Sequence, residues 1–388
     1  MKHKPNGLTP LFLSVGLFLL VAFIFLYQST FFFEPVRYSA EKASGATAKS
    51  VPRVLHVATP EVVKAVYMSQ CLASDKTLRA RLVALVNETE LNAVVIDVKD
   101  YSGRISFPSA NPMFSESLSP ECAARDMQAF LESLHEQSIY VIGRVTVFQD
   151  PFYAKRHPEL AVKRNSDHSV LWRDKKGINY LDPGAQDVWD YALTLAREAH
   201  AIGFDEINFD YIRFPSDGDM NDIYFPFSEE FIDLDPEGGK SGVLRGFFSY
   251  LTGELRKENI TTSADLFGMT TTNTDDLNIG QVLEDALSSF DFVAPMVYPS
   301  HYPLTFIGIQ NPATKPYEVV KYSMDAAMKR ASTTPWKLRP WLQDFSLGAV
   351  YTPDMVRAQI QATYDSGFGS WMLWDAANTY TREALLPE

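Results

Sequence analysis

The sequence predicts an α/β fold, a closed (β/α)8 TIM barrel preceded by an N-terminal transmembrane segment. Three observations carry this. β-rich runs alternate with helical stretches eight times between Ala65 and Asp375, and strict alternation makes a parallel sheet. Eight such units close into a barrel, which needs roughly 250 residues. The chain has 388, and it opens on a long uncharged apolar run. An open doubly wound sheet is the rival architecture. It usually carries a Gly-rich phosphate turn after its first strand, and Ser69-Gln70-Cys71-Leu72 is nothing like one.

The apolar run extends from Leu8 to Tyr27 behind Lys2, His3 and Lys4, and Phe31, Phe32 and Phe33 follow it. About 20 apolar residues span a bilayer as a helix, and aromatics suit the interface. Residues 1–37 therefore read as a membrane anchor or an uncleaved signal, with a cleavage site within Ser39–Ala48 as the alternative. Positive charge before the run orients it N-in. This places a single-pass protein in a bacterial cell membrane with its barrel on the extracytoplasmic side. Residues 38–58, rich in Ala, Ser, Lys and Gly at their start, read as a linker, and 59–388 as the barrel.

The eight strands are expected at Ala65–Ser69, Ala93–Asp100, Ile139–Phe148, Glu206–Pro215, Ile260–Phe267, Phe292–Pro299, Leu338–Phe345 and Ser370–Asp375. Each is a short β-rich run of the kind buried in parallel sheets. Helices are expected near Lys76–Glu88, Cys122–Gln137, Ala185–Ala201, Ser241–Glu258, Ile279–Ser288, Tyr317–Ala331 and Pro353–Asp365, with a short terminal one after the eighth strand. Two loops are long. Residues 149–184 are basic and hold a hairpin turning near Asn165–His168; residues 216–240 are acidic. Both follow strands, so both belong to the face where barrel enzymes place their chemistry. They read either as functional lids or as surface loops that pair with each other.

Composition narrows the function. The net charge of −13 repels phosphate backbones, which argues against nucleic acid. Two cysteines and seven scattered histidines offer no thiolate or helical histidine metal site, and no cofactor is expected. Cys71 and Cys122 should share one rim of the barrel, where a disulfide could join them.

Alternation decides which side chains face the interior. In the fourth strand Ile207, Phe209 and Tyr211 form an apolar face for the helices, so Asn208 and Asp210 point inward. Asp210 at the strand end reads as catalytic, or else as a core ion pair with Lys99 or Arg144. The same phase turns Asp97, Lys99, Arg144, Asp265, Tyr298, Gln343 and Trp374 inward, with Arg213, His301, Asp344 and Asp375 close by. A slip of one residue in the last strand would exchange Trp374 for Asp375. Paired carboxylates with aromatic platforms suit glycoside cleavage, in which one group protonates the leaving oxygen and the other attacks or activates water. Asp210 is the expected nucleophile and Asp265 the acid, or the reverse. Their adjacent strands, about 4.8 Å apart, favour retention. The remaining inward residues would bind substrate. Trp374 would stack on a sugar, Tyr298 would hydrogen-bond near the reacting centre, and Arg144 and Gln343 would orient its substituents.

These residues also carry a resemblance. Asn208-Phe209-Asp210-Tyr211-Ile212-Arg213-Phe214-Pro215 resembles the fourth-strand signature of a bacterial family of putative glycosyl hydrolase barrels, long catalogued as a domain of unknown function. Val95–Asp100, Tyr180–Pro183, Ala294–Tyr302 and Pro340–Phe345 resemble its other blocks, so the likeness runs from about Val66 to Ala376. It implies a TIM barrel related to glycoside hydrolases, without naming a substrate. Met296-x-Tyr298 is also similar to chitinase-like barrels. In their acidic fourth-strand run, however, Asn208 stands in place of the second Asp and Ile212 in place of the Glu. The expected function is a glycoside hydrolase acting on an envelope or extracellular polysaccharide. The alternative is a non-catalytic carbohydrate-binding or envelope-organising barrel.

Overall fold

The computed structural model describes residues 54–331 and 334–388. The expected anchor and most of the expected linker lie outside the described residues. Among the described residues no helix is long and apolar enough to cross a membrane. The unit Val54–Glu388 contains eight parallel strands: β1 (Lys64–Met68), β2 (Ala93–Lys99), β3 (Tyr140–Thr146), β4 (Glu206–Asp210), β5 (Thr261–Phe267), β6 (Phe292–Met296), β7 (Trp341–Gln343) and β8 (Trp371–Trp374). Each pairs with its neighbour in sequence, and β8 returns to β1, closing the barrel.

Alternation builds two apolar layers. Val66, Val94, Ile96, Val141, Ile207, Phe209, Leu266, Val293, Leu342 and Leu373 pack outward under the helices. Ala65, Tyr67, Val95, Tyr140, Ile142, Ala294, Trp341 and Met372 fill the interior. Each such aliphatic side chain contributes about 1.5–3 kcal/mol on burial, so a slip by one residue would exchange the two sets at large cost. Two polar layers interrupt the interior. Near the strand starts Arg339 pairs with Glu206 at 2.8 Å, and Tyr140 donates to the same carboxylate at 3.0 Å. The second layer, toward the strand ends, holds the carboxylates described below.

The helices follow the expected order with differences at their ends. The helix after β2 is Met127–His135, shorter than expected, because Glu121–Asp126 form turns instead. The fourth unit has an extra helix, Ser228–Leu234, before Gly239–Lys257. The last element is a single 3₁₀ turn, Arg382–Ala384. The two long loops interlock. Arg164 pairs with Asp222 at 2.6 Å, Trp172 donates its indole N–H to the Asp219 carbonyl at 2.9 Å, and Lys163 and Tyr224 exchange backbone bonds. The expected hairpin is present, with Lys163 opposite Leu171. Cys71, just past β1, and Cys122, in the loop after β2, meet on one rim and are disulfide-bonded, with Cα atoms 4.2 Å apart.

Candidate active site

The register of β2 through β5 brings four charged side chains together. Asp97 lies beside Arg144, and Thr146 beside Asp210. Asp265 follows two residues after Ser263, which pairs with Asn208. Arg144 is the hub. Its Nη1 donates to Asp97 Oδ1 at 2.7 Å. Nη2 and Nε donate to Asp210 Oδ2 at 2.5 and 3.0 Å. Nε also stands 3.9 Å from Asp265 Oδ2. Burial works against the guanidinium charge, but the charges of Asp210 and Asp97 outweigh it and hold Arg144 cationic. Such charge-assisted, forked bonds are strong and directional.

Asp265 differs from Asp210. It is fully buried; its Oδ1 accepts from Trp341 Nε1 at 2.7 Å and Asn208 Nδ2 at 2.9 Å, while Oδ2 has no hydrogen-bond partner. Burial, and then the Asp210 charge, push its carboxyl well above the usual range. Asp210 takes the guanidinium fork on one oxygen and the Tyr211 amide on the other. One carboxyl is thus biased toward the neutral acid while its neighbour is held by a cation.

Above this layer opens a cavity of about 230 Å³ lined by Arg144, Asp210, Asp265, Arg213, Tyr298, His301 and Trp374, together with Tyr211, Phe267, Gly268, Met269, Met296 and Tyr302. Trp374 stacks on Tyr67 with ring centroids 3.9 Å apart and meets Trp341 edge-on. Burial, and then the Asp265 charge, raise the Tyr298 phenol well above its ordinary value, so it stays a neutral donor. Gly268 is required by crowding, since a Cβ there would collide with the Met296 carbonyl. Among the described residues no three His, Cys, Asp or Glu side chains are grouped to hold a metal ion.

A family model described as "Putative glycosyl hydrolase domain" matches residues 65–380. The chain belongs to that family. The Putative glycosyl hydrolase domain therefore spans nearly the whole barrel, and membership makes this chain a hydrolase by family. No curated protein sequence matches it. Several solved structures do. A hypothetical protein from Ruminiclostridium thermocellum is 32% identical, with 52% of this chain and 96% of that one covered, at a TM-score of 0.44. The PgaB (BpsB) glycoside hydrolase domain from Bordetella bronchiseptica is 15% identical over 81% of this chain and 94% of its own, with a TM-score of 0.60. The α-galactosidase TtGalA from Thermus thermophilus is 12% identical over 84% and 60%, with a TM-score of 0.50. At these identities the last two share the fold.

Within the glycosyl hydrolase barrel, some residues expected at the mouth lie elsewhere. Lys99 is the clearest correction. A register shift between Asp97 and Lys99 sets Lys99 opposite Val145, which faces the helices. Its ammonium pairs with Asp150 at 2.6 Å, over the ring of Tyr191, entirely buried outside the cavity. Asp97 lies beneath the cavity, between Arg144 and the Tyr67 hydroxyl, which donates to it at 2.5 Å. Asn208 also lies beneath, bonded to Asp265 and Ser263. Gln343 braces loops, accepting from the Ser300 amide and donating to the Phe345 carbonyl. Asp344 holds Thr381 through its amide and hydroxyl, and burial pushes its carboxyl up to about 6. Asp375 accepts from the amides of Ala377 and Thr379. Trp374 keeps the inward phase.

Tyr211 is a residue the alternation misplaces. It was expected against the helices, but its φ of 51° turns the chain at the end of β4 and brings the ring to the cavity. Positive φ in a bulky residue is rare, and nothing in its residue type announces it. Trp341 lies on the inward phase, and only the structure reveals its bond to Asp265.

Proposed function

We propose that this barrel hydrolyses a glycosidic bond in an envelope or extracellular polysaccharide, with Asp265 as the general acid and Asp210 as the nucleophile or base. The observation that carries the reading is the asymmetry of the pair. Both carboxylates face one Arg144 nitrogen, yet burial biases Asp265 toward the neutral acid while the guanidinium grips Asp210. Glycoside cleavage needs one proton donor and one anion flanking the bond, and a carboxyl held toward its neutral form is suited to be the donor. Both oxygens lie near a common atom at 3.0 and 3.9 Å, so they are no more than about 7 Å apart, which excludes most of the separations of inverting pairs. Asp265 lines the cavity and its Oδ2 accepts no hydrogen bond, which leaves that oxygen able to carry the proton.

Family membership and the shared fold of the Bordetella PgaB domain support the reaction class. The envelope location rests on two features. The Leu8–Tyr27 run has the length of an anchor, and the Cys71–Cys122 disulfide suits an oxidising compartment. The test is incubation of the full chain with purified envelope and exopolysaccharide fractions, with released oligosaccharides read by mass spectrometry. Release by the native chain and none by Asp210→Asn is the expected result. Absence of release from every fraction overturns the reading.

A further inference from the structure

The hydrolase reading gives no task to Arg213, a charged residue of the cavity. Arg213 follows β4 and is partly buried in the cavity wall. Its Nη1 is anchored, donating to the Phe214 carbonyl at 3.0 Å and to Ser216 Oγ at 3.2 Å. Its carbon centre lies 5.2 Å over the Tyr211 ring. These contacts fix the plane of the guanidinium. The opposite edge, Nε and Nη2, donates to no protein atom among the described residues.

Arg213 also has no carboxylate partner among the described residues. Asp174 and Asp217 stand near the same tyrosines as Arg213, but neither forms an ion pair with it, and each turns one oxygen to backbone amides. Asp174 accepts from the amides of Lys176 and Ile178, and Asp217 from that of Lys175. Asp210 is engaged by Arg144. A fixed, partly desolvated guanidinium with one free edge presents the forked geometry that matches a carboxylate or phosphate. A second cation stands close by. Lys176, exposed in the turn Asp174–Gly177 of the basic loop, lies near enough to His301 that its charge adds to burial in lowering the imidazole pKa. Lys176 has no ion-pair partner among the described residues either. In a protein of net charge −13, an anionic polymer is repelled overall and needs such placed cations to enter.

We propose that the substrate is an anionic polysaccharide, and that Arg213 binds the carboxylate or phosphate substituent of a sugar in the cavity, with Lys176 at the rim. This rests on the hydrolase reading for the word substrate, but the binding claim can be tested without turnover. Full-length Asp210→Asn is titrated calorimetrically with oligouronates and phosphate-bearing oligosaccharides. Each charged glycan is compared with its neutral counterpart, made by carboxyl reduction or dephosphorylation. One charged member should bind at least about tenfold tighter than its counterpart, and the advantage should shrink as salt rises. Which arm shows it identifies the substituent. Adding Arg213→Gln should erase the advantage. Arg213→Lys should keep the salt dependence and lose most of the affinity, because a point charge lacks the fork. No charged glycan binding better than its neutral partner, or an advantage that survives Arg213→Gln, overturns the proposal. Charged glycans bound selectively but never cut by the native chain would instead sink the hydrolase reading alone.

Discussion

Asp210 and Asp265 converge on a single atom, the Nε of Arg144, at 3.0 and 3.9 Å. The hydrogen-bonding surroundings of the two carboxyls nevertheless differ. Asp210 is held by a guanidinium fork and a backbone amide, whereas Asp265 has two neutral donors on one oxygen and none on the other. This difference sets the expected behaviour of their variants.

Asp210→Asn should lower turnover at least about 100-fold, the scale of a lost acid–base or nucleophilic group. The fold should survive, since Arg144 keeps Asp97 as a buried counter-ion at 2.7 Å. Circular dichroism and glycan titration separate the two effects. A variant that is folded and still active removes Asp210 from the mechanism.

Asp265→Asn should also lose turnover, yet gain stability at neutral pH. The folded carboxyl has a raised pKa, so between the unfolded pKa and the folded one the native state holds a proton that the unfolded chain has released. Native stability therefore falls as pH rises through that window. Asn removes this cost while its side-chain oxygen can still accept from Trp341 and Asn208. Urea melts of both proteins should converge at pH values below the ordinary carboxylate pKa and separate above it, with the variant the more stable. The opposite order at neutral pH would mean that Asp265 is ionised in the native state.

Lys99 and Asp150 form a buried pair at 2.6 Å, with exposures of 1% and 0%. Lys99→Met should destabilise the barrel by about 3–5 kcal/mol, because it strands a buried carboxylate. Adding Asp150→Asn should recover part of that loss. Denaturant midpoints check both, and equal losses in the single and double variants would refute the coupling.

The strand order and the inward phase of Asp97, Arg144, Asp210, Asp265 and Trp374 were legible in the sequence, because period-two alternation leaves its mark on every strand. What it hid was local. The extra residue that turns Lys99 outward and the positive φ of Tyr211 both break the alternation, and neither needs a Gly or Pro to do so. Asp344 and Asp375 stand near their strand ends as expected, but backbone amides of the last loop and the Thr381 hydroxyl claim their oxygens. Polar residues past a strand are drawn to orphan amides as readily as to a ligand, and sequence alone does not separate the two.

The Cys71–Cys122 disulfide spans 51 residues, including all of β2. By the loop-entropy relation its removal should cost about 4 kcal/mol. Replacing both cysteines with Ser should lower the denaturation midpoint accordingly. The bond lies outside the cavity lining, so turnover in the folded state should be retained. A midpoint unchanged by the double substitution or by reductant would show that the bond is absent in solution.

Asp97 supplies the last prediction. It touches no part of the cavity, and its two oxygens accept from Arg144 and from the Tyr67 hydroxyl. It acts as a positioning residue, fixing the guanidinium whose other nitrogens face Asp210 and Asp265. Asp97→Asn keeps the shape and leaves an acceptor for Arg144, but removes one negative charge beside it. The unbalanced guanidinium charge then favours the ionised form of Asp265 and lowers its pKa. If Asp265 is the acid, the rate is lost on the alkaline side as this group gives up its proton. The alkaline limb of the kcat profile should therefore move to lower pH in Asp97→Asn, with KM changing far less than kcat at the native optimum. A purely structural role for Asp97 would lower the rate evenly across pH. A shift of the limb to higher pH would exclude Asp265 as the group that sets it.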